Sequence, residues 1–487
     1  MAIVRLLPVV TFLLLALTAR AQIEVPPPDD PGFEHQKLAF EAIDRGDYRT
    51  AESELRKQIE LQQWNFVPWF NLSCVQCRVS KLGEAMDSLE RAVELGFVNR
   101  HLLETEPDLE PLRDSPRFYE LLHRWKKTVD EVYERHFEHV KKTYGPAYHY
   151  ERDATRRIQF ASFRDDEMFE LARTEIDAVT AWGVEHVFYN LRGFEASDDP
   201  WVTVILPNRK DFLRWAVKTF GPGAITDMRQ VGGSYTHDTR ELVTMDLGSS
   251  LRHEFFHALH WRSNTRSGSI HPIWVQEGLC ALVEDFDVMP DGSLEMRLSW
   301  RTNVAGRMAR NGRLLTIKEL SQFTHAKFSG NNPLSNYAQA RTFFVFLYST
   351  GRLGEWYRAL DDNFTEDRSG IKATELVFGK PIEEVEKIYL DWVRALPEVS
   401  TPERPPGARL GIDTDTGDGT GLKVEQVVSG GARALRPGDV IFKIDNRPVR
   451  ELNELFRVMG DYNPGETVKV RYRRGDDFRD ADVLLVK

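Results

Sequence analysis

The sequence predicts a multidomain protein made of an α-helical repeat, then an α+β domain, then a mostly-β domain. Small and large apolar residues recur at an offset of 34 between residues 39 and 93. Strand-like runs give way to long helical patterns between residues 145 and 396. Beyond a proline-rich stretch, short apolar runs alternate with glycine-containing turns. The length of 487 residues fits these sections, since a domain takes roughly 100 to 200 residues. With 41% hydrophobic residues and 11 tryptophans the chain can fill several cores, which excludes global disorder. A formal charge of -11, with no basic block, argues against nucleic acid as a partner.

Residues 1–21 read as a secretory signal peptide. Arg5 supplies the positive start, Leu6 to Leu17 the apolar stretch, and Ala19-Arg20-Ala21 the cleavage site. About twelve apolar residues fall short of the roughly 20 that span a bilayer. A periplasmic or secreted protein is therefore expected, with no integral membrane segment after cleavage. Cys74, Cys77 and Cys280 are too few for a disulfide scaffold. The Cys74-Val-Gln-Cys77 pair sits in a helical pattern with no strand before it and is read as structural.

In the first section, residues 32–125, the offset pairs Ala39 with Ser73, Ala51 with Ala85, Leu55 with Leu89 and Ile59 with Val93. Small residues recur where helices approach closely, and large ones recur where they fill grooves. With Trp69 and Leu72 in the second unit, this pattern resembles tetratricopeptide repeats, which implies either a spacer or a peptide-binding groove. A helical tail over Leu102 to Trp125 caps the stack, and a charged amphipathic helix over Val129 to Lys142 leads onward.

The second section, residues 145–396, opens with strands predicted near Ile158 to Phe163, at Trp201 to Leu206 and at Arg240 to Asp246. A helix is expected over Asp165 to Trp182, and Gly232-Gly233-Ser234 is read as a turn. Helices follow as far as Leu396. Within them, His253-Glu254-Phe255-Phe256-His257 sets two imidazoles four apart on one helical face, with Glu254 beside them. Twenty residues after His257, Trp274-Val275-Gln276-Glu277-Gly278 opens a second helix.

Together these motifs resemble the gluzincin metallopeptidases, which implies a zincin-like catalytic domain. The resemblance implies a catalytic Zn²⁺ held by His253, His257 and Glu277, with Glu254 as general base. It also implies Glu284 as the acid that steadies a ligand histidine, and Tyr337, in Asn336-Tyr337-Ala-Gln-Ala340, as an oxyanion donor. A third histidine at metzincin spacing is missing, so His260 is read as a core or helix-surface residue. No Gly-x-Met-Glu-Asn motif occurs in the Arg240 to Asp246 region, where aminopeptidases of this class grip the substrate amine. The expectation is thus an endopeptidase acting on protein or peptide substrates, with Arg240 to Asp246 as the edge strand that pairs with them. The alternative is a scaffold or chaperone-like binding protein whose zinc domain has lost activity.

Residues 397–408, with Pro397, Pro402, Pro405 and Pro406, read as an extended linker. In the last section, residues 409–487, strands are expected at Leu422 to Val428, Val440 to Ile444 and Val468 to Tyr472, with a helix over Glu451 to Met459. Arg409-Leu410-Gly411-Ile412, Gly438-Asp439-Val440-Ile441 and Asn446-Arg447-Pro448-Val449 resemble bacterial protease-associated PDZ domains. The resemblance implies that Leu410, Gly411 and Ile412 receive the carboxylate of a C-terminal peptide ligand, unless the domain only packs on its neighbour. The linker leads us to expect a module tethered to the catalytic domain without being fused to it.

Overall fold

The computed structural model describes residues 31–487 except 165, 193–198, 221–231, 238, 290–292, 331, 402–405, 416 and 418–419. The segment read as a signal peptide and part of the segment read as a linker lie outside them. Among the described residues no helix is long and apolar enough to cross a membrane.

Two helix hairpins begin the fold: α1 (Pro31–Asp44) with α2 (Tyr48–Leu61), then α3 (Phe66–Arg78) with α4 (Leu82–Glu94). Asp47 and Asn65 start α2 and α3 by accepting the N–H of Thr50 and of Val67. Ala39, Ala51 and Ala85 are buried where helices meet, and Ser73 Oγ donates to Ala85 O at 2.7 Å. Cys74 and Cys77 are buried in α3, and desolvation pushes the Cys77 thiol up to about 12. Such thiols are unreactive, as a structural role requires. After the short α5 (Arg100–Thr105) and α6 (Pro116–His123) comes α7 (Trp125–Tyr144). Its first turns bury Trp125, Val129 and Tyr133 in the helical core, and its last turns bury Phe137 and Val140 against the sheet that follows.

That sheet comprises β1 (His149–Asp153), β2 (Ile158–Ser162), β3 (Val202–Leu206), β4 (Gly233–Thr236) and β5 (Glu241–Thr244), ordered β1-β2-β3-β5-β4. Helices α8 (Asp166–His186) and α9 (Arg209–Phe220) make the crossovers. The pairs β2/β3 and β3/β5 are parallel, while β1/β2 and β4/β5 are antiparallel. The edge-strand expectation is corrected here: β5 lies inside the sheet, and β4 is the outer strand among the described residues. Gly233 begins a strand rather than a turn, because a Cβ there would lie 2.7 Å from Thr244 Cβ. The reversal falls instead between Thr236 and Glu241, where Arg240 adopts φ 52.

Beneath the sheet run α10 (Ser249–Ser267) and α11 (Ile273–Leu282), followed by a hairpin of β6 (Phe286–Val288) and β7 (Leu294–Met296). Helices α12 (Trp300–Arg310), α13 (Ile317–Ser321), α14 (His325–Gly330), α15 (Pro333–Ser349), α16 (Leu353–Asp362), α17 (Ile371–Phe378) and α18 (Ile382–Ala395) complete the section. Trp274, Phe343, Phe344 and Trp356 fill the core between α11, α15 and α16.

The start of the segment read as a linker is held against α12. Val399 N donates to Asn303 Oδ1, and Asn303 Nδ2 donates back to Val399 O, each at 2.9 Å. The C-terminal sheet holds β8 (Ile412–Thr414), β9 (Leu422–Val427), β10 (Val440–Ile444), β12 (Thr467–Arg474) and β13 (Asp477–Leu484) in the order β13-β12-β10-β9-β8, with β11 (Arg447–Pro448) beside β10. Helix α19 (Leu452–Met459) packs Leu455, Val458 and Met459 onto it.

Gly278 sets the closest helix approach near the candidate site. A Cβ there would lie 2.6 Å from the Phe344 ring and 3.1 Å from the Ala340 carbonyl carbon of α15. Gly278→Ala should therefore destabilise the protein by about 1–3 kcal/mol, the usual cost of overpacking. A denaturant midpoint no lower than wild type would show that α11 and α15 separate freely.

Candidate metal centre

Helix α10 carries the first motif, and Asp246 fixes its start. One carboxylate oxygen accepts Gly248 N at 2.6 Å and the other accepts Ser250 N at 2.8 Å. From there the 3.6-residue period turns His253 and His257 to one side, toward Glu277 on α11. His253 Nε2 and His257 Nε2 stand 3.3 Å and 3.7 Å from Glu277 Oε2. One ligand atom from each residue lies within 4.8 Å of the others, and all three side chains are buried. His257 Nε2 and both Glu277 oxygens lack a well-formed hydrogen bond. Buried polar atoms seldom go unclaimed, and two imidazoles with a carboxylate form a donor set that suits Zn²⁺. The residues present therefore fit the ion.

Glu284 also reaches the cluster, although α11 ends at Leu282 and Glu284 stands in the following turn. Its Oε1 is 3.0 Å from His253 Nδ1, and Arg301 grips both oxygens at 2.7 Å and 2.8 Å. Burial opposes ionisation, but Arg301 and His253 outweigh it and hold the carboxyl down at about 2. For His253 burial again opposes charge, while the close carboxylates of Glu277 and Glu284 raise the imidazole to about 10. Arg341, fully buried in α15, donates to Ala281 O at 2.8 Å and so ties down the end of α11.

Glu254 is buried, and one of its oxygens accepts Tyr235 N of β4 at 2.8 Å. Burial raises its pKa, partly offset by the two histidines. Tyr337 stands in the second turn of α15, fully buried, and Glu277 acts with burial to push its phenol well up. No hydrogen bond of ordinary geometry claims its Oη. The sequence reading missed His325 at the start of α14. Burial lowers it to about 4 against the pull of Glu277, whose charge it senses. Nothing in its sequence neighbourhood distinguishes it from the other histidines. His260 is a core residue, its Nε2 2.9 Å from His271 Nδ1, and His271 Nε2 is 3.0 Å from Asp361.

Leu410 is buried in the C-terminal core, and Ile412 opens β8. Gly411 adopts φ +76, and a Cβ there would meet Ser429 Cβ at 2.4 Å. A larger residue at 411 would thus strain the domain itself, whatever it does to a ligand.

The expectation of an unfused C-terminal module is also corrected. Ser249 Oγ donates to Glu451 Oε1 at 3.0 Å, Arg450 Nη1 to Leu247 O at 2.6 Å, and Arg457 Nη1 to Asp287 Oδ1 at 3.1 Å. Arg447 adds a 3.0 Å ion pair to Asp287. Composition marks a linker but is silent on partners hundreds of residues away.

Residues 408–485 match the PDZ domain family, so the C-terminal module is a PDZ domain. Two curated relatives, both named magnetosome formation protease MamE, match through that region. The one from Paramagnetospirillum magneticum is 35% identical over 83 residues, 16% of this chain and 11% of its own length. That from Magnetospirillum gryphiswaldense is 36% identical over 79 residues, 16% and 10% of the two chains. This chain thus spans about a tenth of the length of the curated relatives it matches. A crystal structure of an aminopeptidase N family protein from Idiomarina loihiensis shares 12% identity across 70% of this chain and 67% of its own, with a TM-score of 0.22. At that score the likeness carries no argument, and residues 145–396 stand on their own geometry.

Glu284→Gln should weaken Zn²⁺ binding about 10- to 100-fold, the usual loss when the partner of a ligand histidine is removed. Chelator competition measures it, and an unchanged affinity would take Glu284 out of the centre.

Proposed function

We propose that this chain is an exported, zinc-dependent metallopeptidase of the gluzincin type that cleaves peptide bonds within proteins or peptides. The reading rests on one observation above all: ligand atoms of His253, His257 and Glu277 converge within 4.8 Å, beside the buried carboxylate of Glu254. Three protein ligands leave a position open, as catalytic rather than structural zinc requires. When bound, Zn²⁺ supplies a Lewis acid that polarises the scissile carbonyl and acidifies water.

The remaining steps belong to side chains of this protein. Glu254 takes the proton of the attacking water and returns it to the departing amine. Its raised pKa suits a proton carrier, and the Tyr235 N–H holds one oxygen so that the other faces the reaction. Tyr337 Oη donates to the oxyanion that develops as the carbonyl carbon becomes tetrahedral. An extended substrate pairs its backbone with β4, the outer strand, rather than with β5. An internal peptide bond is favoured because no amine-gripping motif lies upstream. The PDZ domain and the helical hairpins recruit substrates or partners, in the periplasm or outside the cell. The protease names of the MamE relatives support a proteolytic setting through the PDZ region. The intact Glu254 favours activity over an inert scaffold.

The decisive test is cleavage of a peptide library by the mature protein with and without a chelator. Glu254→Gln should keep its metal and lose turnover, since it removes the base but no ligand, whereas Glu277→Ala should lose metal. Full turnover in metal-loaded Glu254→Gln would sink the mechanism. Tyr337→Phe should lower kcat by about 10² to 10³, the worth of an oxyanion donor, with little change in KM. A change below about threefold would assign Tyr337 to the core alone.

A further inference from the structure

The PDZ domain reaches the metal-ligand helix through buried charge. Arg252, the residue before His253, donates Nη1 to Glu175 Oε2 of α8 at 2.7 Å and Nε to Val283 O at 2.9 Å. It also donates to the carbonyl of Glu284, the residue whose side chain holds His253. The PDZ domain supplies the other half. Arg450 Nη2 lies 3.2 Å from Glu175 Oε1, and Glu454 Oε1 lies 3.5 Å from Arg252 Nη2. Glu454 also accepts Arg450 N at 2.7 Å, which locks the two PDZ residues together. All four side chains are buried, so these are not screened surface pairs. Arg450 also lies over the start of α10: it donates to Leu247 O, and its charge offsets part of the burial that raises the pKa of the capping Asp246.

We propose that Arg450 is a positioning residue for the metal centre, and that the PDZ domain is an integral part of that centre rather than only a recruiting module. The inference rests on the metal reading above. With Arg450 in place the buried square holds two cations and two anions. Without it, Glu175 and Glu454 face Arg252 alone. The guanidinium is then drawn from the Val283 and Glu284 carbonyls, and the Glu284 turn loses its register with His253 Nδ1.

The test measures Zn²⁺ affinity by chelator competition in full-length wild type, Arg450→Met, Arg450→Lys and the exposed control Arg433→Ala, with thermal unfolding of each metal-free protein alongside. Arg450→Met should weaken Zn²⁺ about tenfold, the low end for loss of an outer partner. Arg450→Lys keeps the charge but cannot bridge Leu247 and Glu175 together, so it should recover part of the loss, and Arg433→Ala none should be lost. If Arg450→Met does not fold, Arg450→Gln, which likewise removes the charge but keeps a polar side chain, takes its place with the same expected loss. A folded variant that binds Zn²⁺ within twofold of wild type, even with a lower unfolding temperature, would give Arg450 a purely structural role and overturn the inference. A wild type that binds no Zn²⁺ would instead overturn the metal reading itself.

Discussion

A buried guanidinium must find acceptors for its donors, and Arg252 finds them in three parts of the chain. Glu175 comes from the first crossover helix, the Val283 and Glu284 carbonyls from the turn after α11, and Glu454 from the PDZ domain. His253, one of the three residues that converge at the candidate centre, follows it directly. Packing around the site can be read as the set of constraints that keep this cation dry and neutralised.

The same logic governs the acids. Glu254, Glu277 and Glu284 crowd a small volume, and three like charges there would repel one another unless divided among partners. Arg301 takes Glu284 and lowers its pKa, and the histidines face Glu277, while for Glu254 burial outweighs the two histidines and the Tyr235 N–H and leaves its pKa raised.

How much of this the sequence discloses depends on the range of each interaction. That His253 and His257 share a face was legible because the helical period is local, whereas Glu277 was expected beside them only through the family resemblance. Glu284 was legible by position, although the helix expected to carry it stops two residues early. Strand order was not legible: Gly232-Gly233-Ser234 looks like a turn until Thr244 is seen to need a neighbour without a side chain. Nor were Arg447, Arg450 and Arg457, ordinary surface residues by composition, whose acids Glu175 and Asp287 lie far away in the chain. The helix bounds were closer, with α19 differing by one residue from its expected span.

The docking of α19 also bears on biosynthesis. Residues 447–457 follow the α+β section in chain order, so they leave the ribosome after His253, His257, Glu277 and Glu284 have all been made. Until they arrive, Glu175 and Asp287 lack their PDZ arginines and the start of α10 lacks its cover. A nascent chain that ends before residue 447 therefore carries the residues of the candidate centre but not the buried charges that pack beside them, and the segment 447–457 completes that burial when it arrives.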